Sequence, residues 1–288
     1  MKNIFTFILV LLFTVQCFAQ EDFSSLTKKA NEAVVNKNYQ EALSHFDAAF
    51  KLGDPDSTKI AWNAELAGIS ALQIDENEKA IGYFTRALKY GTTDMNIYNR
   101  LIQVAKDTKN TEAEEEALLL GQKCFPELAA KNNSKLLYLY YNNQQYEKAV
   151  NMADILIEAQ PQKTKVHYLK AVSLYKLERY DEAISELEQI IDEEPENTEA
   201  NSLLGIIYYR QAKDKFDKFT DDYNNLQKPD RVDYAVYMRN IATCKPTYEK
   251  ALPYLLKAYE AKPDNVVKVA IFNSYIQLEQ KDKAEKYR

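Results

Sequence analysis

The sequence predicts an all-α fold assembled from stacked helix pairs. Three observations predict it. The stretch YDEAISELEQIIDEEP places Tyr180, Ala183, Leu187 and Ile190 at helical spacing ahead of Pro195. That is one amphipathic helix with a narrow buried stripe. The pattern then recurs, with first alanines at Ala42, Ala80, Ala113, Ala149, Ala183 and Ala251, separated by 38, 33, 36, 34 and 68 residues. The last interval is twice 34, and self-similarity at this period means stacked units. Finally, six glycines and eight prolines are few for 288 residues, with 46% apolar and 28% charged side chains. Such a balance suits helices joined by short turns.

In chain order, residues 1–19 come first. Lys2, an apolar run from Ile4 to Phe13 and the small Ala19 have the layout of a secretory signal peptide. The run is too short for a spanning helix, which needs roughly 20 residues. Cleavage after Ala19 is expected to leave 269 residues starting at Gln20. A rival is lipid attachment at Cys17, although Thr14 and Gln16 stand where a lipobox has an apolar and a small residue. With Lys2 removed, 36 basic residues face 43 acidic ones, a balance of −7. A mildly acidic chain without a basic tract argues against nucleic acid and anionic lipid as partners. Cys124 and Cys244 remain, 120 residues apart. They are expected to be buried small hydrophobes rather than a disulfide.

Each unit carries a first helix and then the quoted second one. Second helices hold Tyr39, Ala42, Phe46 and Ala49; Tyr146, Ala149, Ala153 and Leu156; and Tyr248, Ala251, Leu255 and Ala258. First helices hold Gly68 and Ala71, Ala171 and Leu174, and Leu204, Gly205 and Tyr208. The small residue eight positions into a unit lets two helices approach closely. The alanine of the second helix is small because it lies at the same crossing. Glu186, on the flank of its helix, is expected to be exposed.

One interval departs from the period. Between Tyr208 and Tyr248 lie 34 extra residues. A degenerate repeat is one reading, since Pro229 falls at position 32. The other is an extended hairpin, because Leu204, Tyr208, Ala212, Phe216, Phe219, Tyr223 and Leu226 continue one helical stripe. That reading gives an over-long first helix, a turn at Lys228-Pro229-Asp230 and a long returning helix, which Pro246 and Pro253 would interrupt or kink.

This pattern resembles the tetratricopeptide repeat, with Ala171, Leu174, Tyr180, Ala183, Leu187, Ile190 and Pro195 at the signature places of a unit starting at Thr164. His167 and Asn201 stand where the family has tryptophan. The resemblance covers nearly all of residues 20–288, with units starting near 23, 61, 94, 130, 164 and 198 and a partial one from 264. It implies a right-handed superhelical solenoid of antiparallel helix pairs, with one extended hairpin at about 198–262. The chain looks like exported envelope members of the family of Bacteroidetes type, in the periplasm or outside, with outer-membrane association as a further option.

No catalytic residue, cofactor or metal is expected. His45 and His167 fall in different units without metal-ligand spacing. No nucleophile elbow, phosphate-cradling glycine loop or zinc motif occurs. The resemblance instead assigns a groove to the first helices, lined here by Tyr98, Tyr138, Tyr141, Tyr168, Tyr175, Tyr209 and Arg210. Tyrosine suits recognition, having apolar area, a hydroxyl and little rotamer entropy to lose. The alternative is that these rings pack between adjacent units. Lys131, Lys135, Lys165 and Arg210 are candidates to meet a partner's carboxylates, or else solvated surface. The carboxylate clamp of chaperone-binding relatives is not reproduced, since Thr27 stands at its first lysine. Two classes of function follow: a scaffold binding a protein or peptide of the cell envelope, or a small-ligand sensor, carrier or lipid-anchored assembly factor. The partner's identity is not specified.

Overall fold

The computed structural model describes residues 22–54, 56–161 and 163–288. The signal-peptide segment and Cys17 lie outside them. The described residues form α-helices and two short 3₁₀ turns, without a strand. The chain divides into two compact units, Met1–Pro126 and Glu127–Arg288. The first holds α1 (Phe23–Val35), α2 (Tyr39–Leu52), α3 (Ser57–Leu72), α4 (Asn77–Lys89), α5 (Met95–Asp107) and α6 (Thr111–Cys124). The second holds α7 (Ala129–Asn142), α8 (Tyr146–Ala159), α9 (Thr164–Lys176), α10 (Tyr180–Glu193), α11 (Thr198–Asn224), α12 (Arg231–Ala242), α13 (Lys245–Ala261), α14 (Asn265–Gln277) and α15 (Lys281–Ala284). Each unit is a stack of helix pairs, the all-α helical-repeat class that the period predicts.

Five of the first helices start alike; α7 and α9 have no side-chain cap. Asp22, Asp56, Asp94, Asn197 and Asp264 each accept a backbone N–H from the first turn, satisfying donors that a helix start leaves orphaned. Six of the first helices also end alike. Lys37, Asp75, Lys109, Gln144, Glu178 and Glu279 take left-handed φ values of 55° to 61°. The residue after each donates its N–H five residues back: Asn38 to Ala33 at 2.8 Å, Arg179 to Leu174 at 2.9 Å, Gln280 to Tyr275 at 2.9 Å. This is the Schellman closure of a helix end. It turns the chain back within three residues, so the second helix runs down the first.

The pairs close over small residues. Ala42, Ala80, Ala149, Ala183 and Ala251 are wholly buried. A Cβ added to Gly68 would lie 2.4 Å from Phe84 Cε1, and one added to Gly205 would lie 2.7 Å from Leu255 Cγ and 3.0 Å from its backbone nitrogen. Phe84 and Leu255 hold equivalent places in their second helices. α13 is therefore the true partner of α11, across the inserted residues.

The insertion is the extended hairpin. α11 runs 27 residues and α12 returns from Asp230, which forms a reciprocal capping box with Asp233. The return is interrupted, as expected, but just ahead of Pro246 and not at Pro253. It breaks at Thr243-Cys244 and restarts as α13, with Pro246 in the first turn and Pro253 inside an unbroken helix. A proline in the first turn costs no hydrogen bond, because its N–H would be an orphan there. Tyr223 stacks on Tyr237 with centroids 4.8 Å apart, while Phe216 and Phe219 pack against Ala212, Cys244 and Tyr248.

Two polar positions need correction or completion. Glu186 is not exposed: its side chain is 13% accessible and faces Lys170 Nζ and His167 Nδ1, each at 2.6 Å. The other ring nitrogen of His167 lies 2.7 Å from the Pro161 carbonyl. Asn201 Nδ2 donates to the Pro195 carbonyl at 3.0 Å. At both places where the family has tryptophan, a buried polar side chain ties the preceding turn to the first helix. Cys124 and Cys244 are free; Cys244 is buried, and Cys124 is half-buried with its thiol against the Leu88 carbonyl.

Candidate protein-interaction face

The first helices of the second unit, α7, α9, α11 and α14, bring most of the expected site residues together. Tyr141, Tyr175 and Tyr209 hold the same place in α7, α9 and α11, 34 residues apart. Each ring rests on a tyrosine in the first turn of its partner helix: Tyr141 on Tyr146 at 6.3 Å, Tyr175 on Tyr180 at 6.0 Å, Tyr209 on Tyr248 at 6.1 Å. Tyr248 reaches Tyr209 only because the hairpin returns the chain to its register. Two of the hydroxyls are engaged by the following first helix. Arg210 Nη1 donates to Tyr175 Oη at 2.6 Å, and Asn273 Nδ2 donates to Tyr209 Oη at 3.0 Å. All three rings are half-buried. They join helices and still present an edge to solvent.

Tyr138 is the most open of the set, 38% exposed, with Lys165 Nζ 5.4 Å above its ring. Tyr168 is half-buried and enters a cleft of about 240 Å³ with Glu199, Ser202, Leu203, Ile206 and Val267. Burial raises the Tyr168 hydroxyl to about 12, assisted by the nearby Glu199 carboxylate. It stays a neutral donor over that cleft at any ordinary pH. The cleft lining mixes these apolar side chains with polar and charged ones, Lys262 and Asp264 among them, as in sites that seat one side chain of a ligand.

Tyr98 does not belong with them. It lies in the first unit, is 2% exposed and packs against Phe125 with centroids 6.1 Å apart. An aromatic between two helices fills core volume, and here that role takes the whole side chain. Sequence reasoning also missed residues. Tyr146 and Tyr180 follow the ladder tyrosines by five positions and carry the same period, so the backing was readable. Asn273, Ser202 and Val267 carry no such signal. A larger hollow beside Ser24, Thr27 and Asn31 is bounded by α1 alone and encloses nothing. Among the described residues no three His, Cys, Asp or Glu side chains are grouped to hold a metal, and no helix is long and apolar enough to cross a membrane.

Residues 168–215 match the family model described as tetratricopeptide repeat, and residues 110–190 match that of anaphase-promoting complex, cyclosome, subunit 3. The matches support the tetratricopeptide-repeat family. The repeat match spans α9 and α10 and ends in α11, the helices that hold Tyr168, Tyr175, Tyr209 and Arg210. Among solved structures, a Bacteroides ovatus protein described as protein-binding is 22% identical over 77% of this chain and 98% of its own, with a TM-score of 0.45. A tetratricopeptide repeat protein from Parabacteroides merdae is 17% identical over 88% and 98%, with a TM-score of 0.35. YrrB, a repeat protein with an unusual peptide-binding site, is 19% identical over 62% and 90%, with a TM-score of 0.34. No curated protein matches the chain.

Proposed function

We propose that this chain is a non-catalytic scaffold of the cell envelope that binds a segment of another protein along α7, α9, α11 and α14. The observation that carries the reading is the cleft beside the tyrosine ladder. Leu203, Ile206 and Val267 give it apolar lining, and Tyr168 and Ser202 offer hydroxyls. Half-buried tyrosines lie alongside, already braced by Tyr146, Tyr180 and Tyr248. A braced aromatic has little entropy left to lose on binding, which is what an anchor position needs.

The test is crosslinking capture from envelope extracts with the full chain and with Ser202→Trp. Ser202 lines the cleft and is half-buried, so the indole fills the cleft without entering the core. A partner held by the native chain and lost by Ser202→Trp at an unchanged melting temperature supports the reading. A partner retained by that variant places binding elsewhere. Truncating Tyr175 is less informative, since it also removes the contacts to Tyr180 and Arg210. Export is part of the same proposal and rests on residues 1–19. Intact mass of the envelope form should start near Gln20; acyl chains on Cys17 would make it a lipid-anchored assembly factor instead.

A further inference from the structure

The cations of the second unit fall into two groups. Toward the second helices they are neutralised: Lys170 meets Asp154 at 2.7 Å and Glu186 at 2.6 Å, Arg179 meets Glu182 at 2.6 Å, and Lys257 meets Glu196 at 2.8 Å. Toward the first-helix face Lys213 is paired with Asp217, but three other cations are not neutralised. Lys165 lies 5.4 Å over the Tyr138 ring, and Lys176 and Arg210 lie 5.9 Å and 5.5 Å from the centroid of Tyr175. No ion pair joins any of these three to a carboxylate among the described residues. Arg210 spends one N–H on Tyr175 Oη and a guanidinium has five. Carboxylates lie nearby as well: Glu199 and Asp264 line the cleft, Asp217 is taken by Lys213, and Glu178 and Asp214 lie within electrostatic reach of Tyr180, as Arg210 does.

We propose that the segment bound on this face is acidic, its carboxylates meeting Lys165, Lys176 and Arg210 while one apolar side chain enters the cleft at Ile206. This rests on the reading of the face as a protein-binding surface and names the chemistry of the partner. An acidic chain of net charge −6 that leaves three cations unneutralised on one face, each held over a tyrosine, is complementary to carboxylates there. Ring contact fixes where each charge sits and leaves its outward donors open. Nucleic acid would also meet the cations. It fits less well, because the ladder rings are backed by Tyr146, Tyr180 and Tyr248 and do not stand free to stack on bases.

A random displayed-peptide library selected on the full chain tests the proposal. Three variants accompany it: Ser202→Trp, the combined Lys165→Gln, Lys176→Gln and Arg210→Gln, and Lys257→Gln as a control for charge removed away from this face. Enrichment of Asp and Glu around an apolar residue is expected. Selected peptides should bind about tenfold more weakly to the combined charge variant, lose affinity as salt rises, and fail on Ser202→Trp. Neutral or basic peptides that still fail on Ser202→Trp would overturn the acidic partner and leave the binding face intact. No enrichment, or binding unaffected by all variants, would overturn both. A labelled single-stranded oligonucleotide that displaces the peptides and binds more tightly than they do would also overturn it.

Discussion

Glu186 faces Lys170 Nζ and His167 Nδ1, each at 2.6 Å, with 13% of its side chain open to solvent. Burial alone would lower the Lys170 pKa, yet it is raised, because the bonds to Asp154 and Glu186 outweigh desolvation. Removing the carboxylate leaves Lys170 with Asp154 only and a buried His167 with one ring nitrogen unpartnered. Each such loss typically costs about 1–3 kcal/mol. Ala183 sits one turn earlier on the same helix, wholly buried at the crossing with α9, and a Leu there should cost about 1–3 kcal/mol by overpacking. The two variants, Glu186→Leu and Ala183→Leu, are therefore expected to lower the melting temperature by similar amounts. A Glu186→Leu chain that melts like the native one would show that the ion cluster adds nothing. Periodicity places Glu186 correctly on its helix but says nothing of what faces it. His167 and Lys170 come from another helix, and that pairing is absent from any local pattern.

At the scale of elements, the helices were legible and the turns were not. Alanines at a fixed period announce the pairs, and the stripe from Leu204 to Tyr223 announces the hairpin. The six left-handed turn residues announce nothing. Lys37, Asp75, Lys109, Gln144, Glu178 and Glu279 are not the Gly or Asn that normally marks such a position. Their conformation is imposed by the helix packing on either side. The break at Thr243-Cys244 was legible in outline and displaced in detail: Pro246 announces an interruption, but the break falls ahead of it, because two residues into a helix a proline is at home. The imposed turns make a prediction. A left-handed conformation costs an ordinary residue about 1–2 kcal/mol, and the extra backbone entropy of glycine costs about 0.5–1 kcal/mol. The first exceeds the second. Gln144 has φ 59° and an exposed side chain, so Gln144→Gly should stabilise the protein by about 0.5–1 kcal/mol. Thermal melting reads this directly; a lower melting temperature would mean that the turn is less strained than its φ implies.

For the whole molecule, the 21 tyrosines tie stability to alkaline pH. Burial raises the hydroxyls of Tyr83, Tyr168, Tyr208 and Tyr248 above their usual value of 10.0, helped at Tyr83 by its bond to Asp47 and at Tyr208 by its bond to Glu188. The folded chain holds these protons longer than the unfolded chain does. Their stabilising effect is complete below pH 10 and is lost as pH rises, at Tyr168 across the window from 10.0 to about 12. Melting temperatures should thus fall steeply above pH 10, with tyrosinate absorbance appearing in part only on unfolding. Smooth ionisation of all tyrosines near pH 10 before any loss of helix would contradict this. The period and the composition foretold the helical-repeat class, since each unit repeats one local pattern. The candidate face was legible only where it shares that period, at Tyr141, Tyr175 and Tyr209. Tyr98 was misplaced because a repeat position alone does not tell a lining side chain from a core one.

The hairpin departs and returns at one point of the stack. Ala212 and Tyr248 share a buried cluster, and Gly205 still meets Leu255 as though nothing lay between. Residues 213–246 amount to one repeat period, so splicing Ala212 directly to Thr247 restores the register of every other pair. The position that Ala212 would then occupy is the left-handed one held elsewhere by Gln144 and Glu178. A chain lacking 213–246 and carrying Ala212→Gly should therefore fold and melt cooperatively, and the same excision with Ala212 kept should melt lower. Unfolding of both would mean that the arm is part of the spine. Survival of the first would make the arm a graft. In that case its length and sequence are free to vary between relatives, while the tyrosine ladder beneath it stays in step.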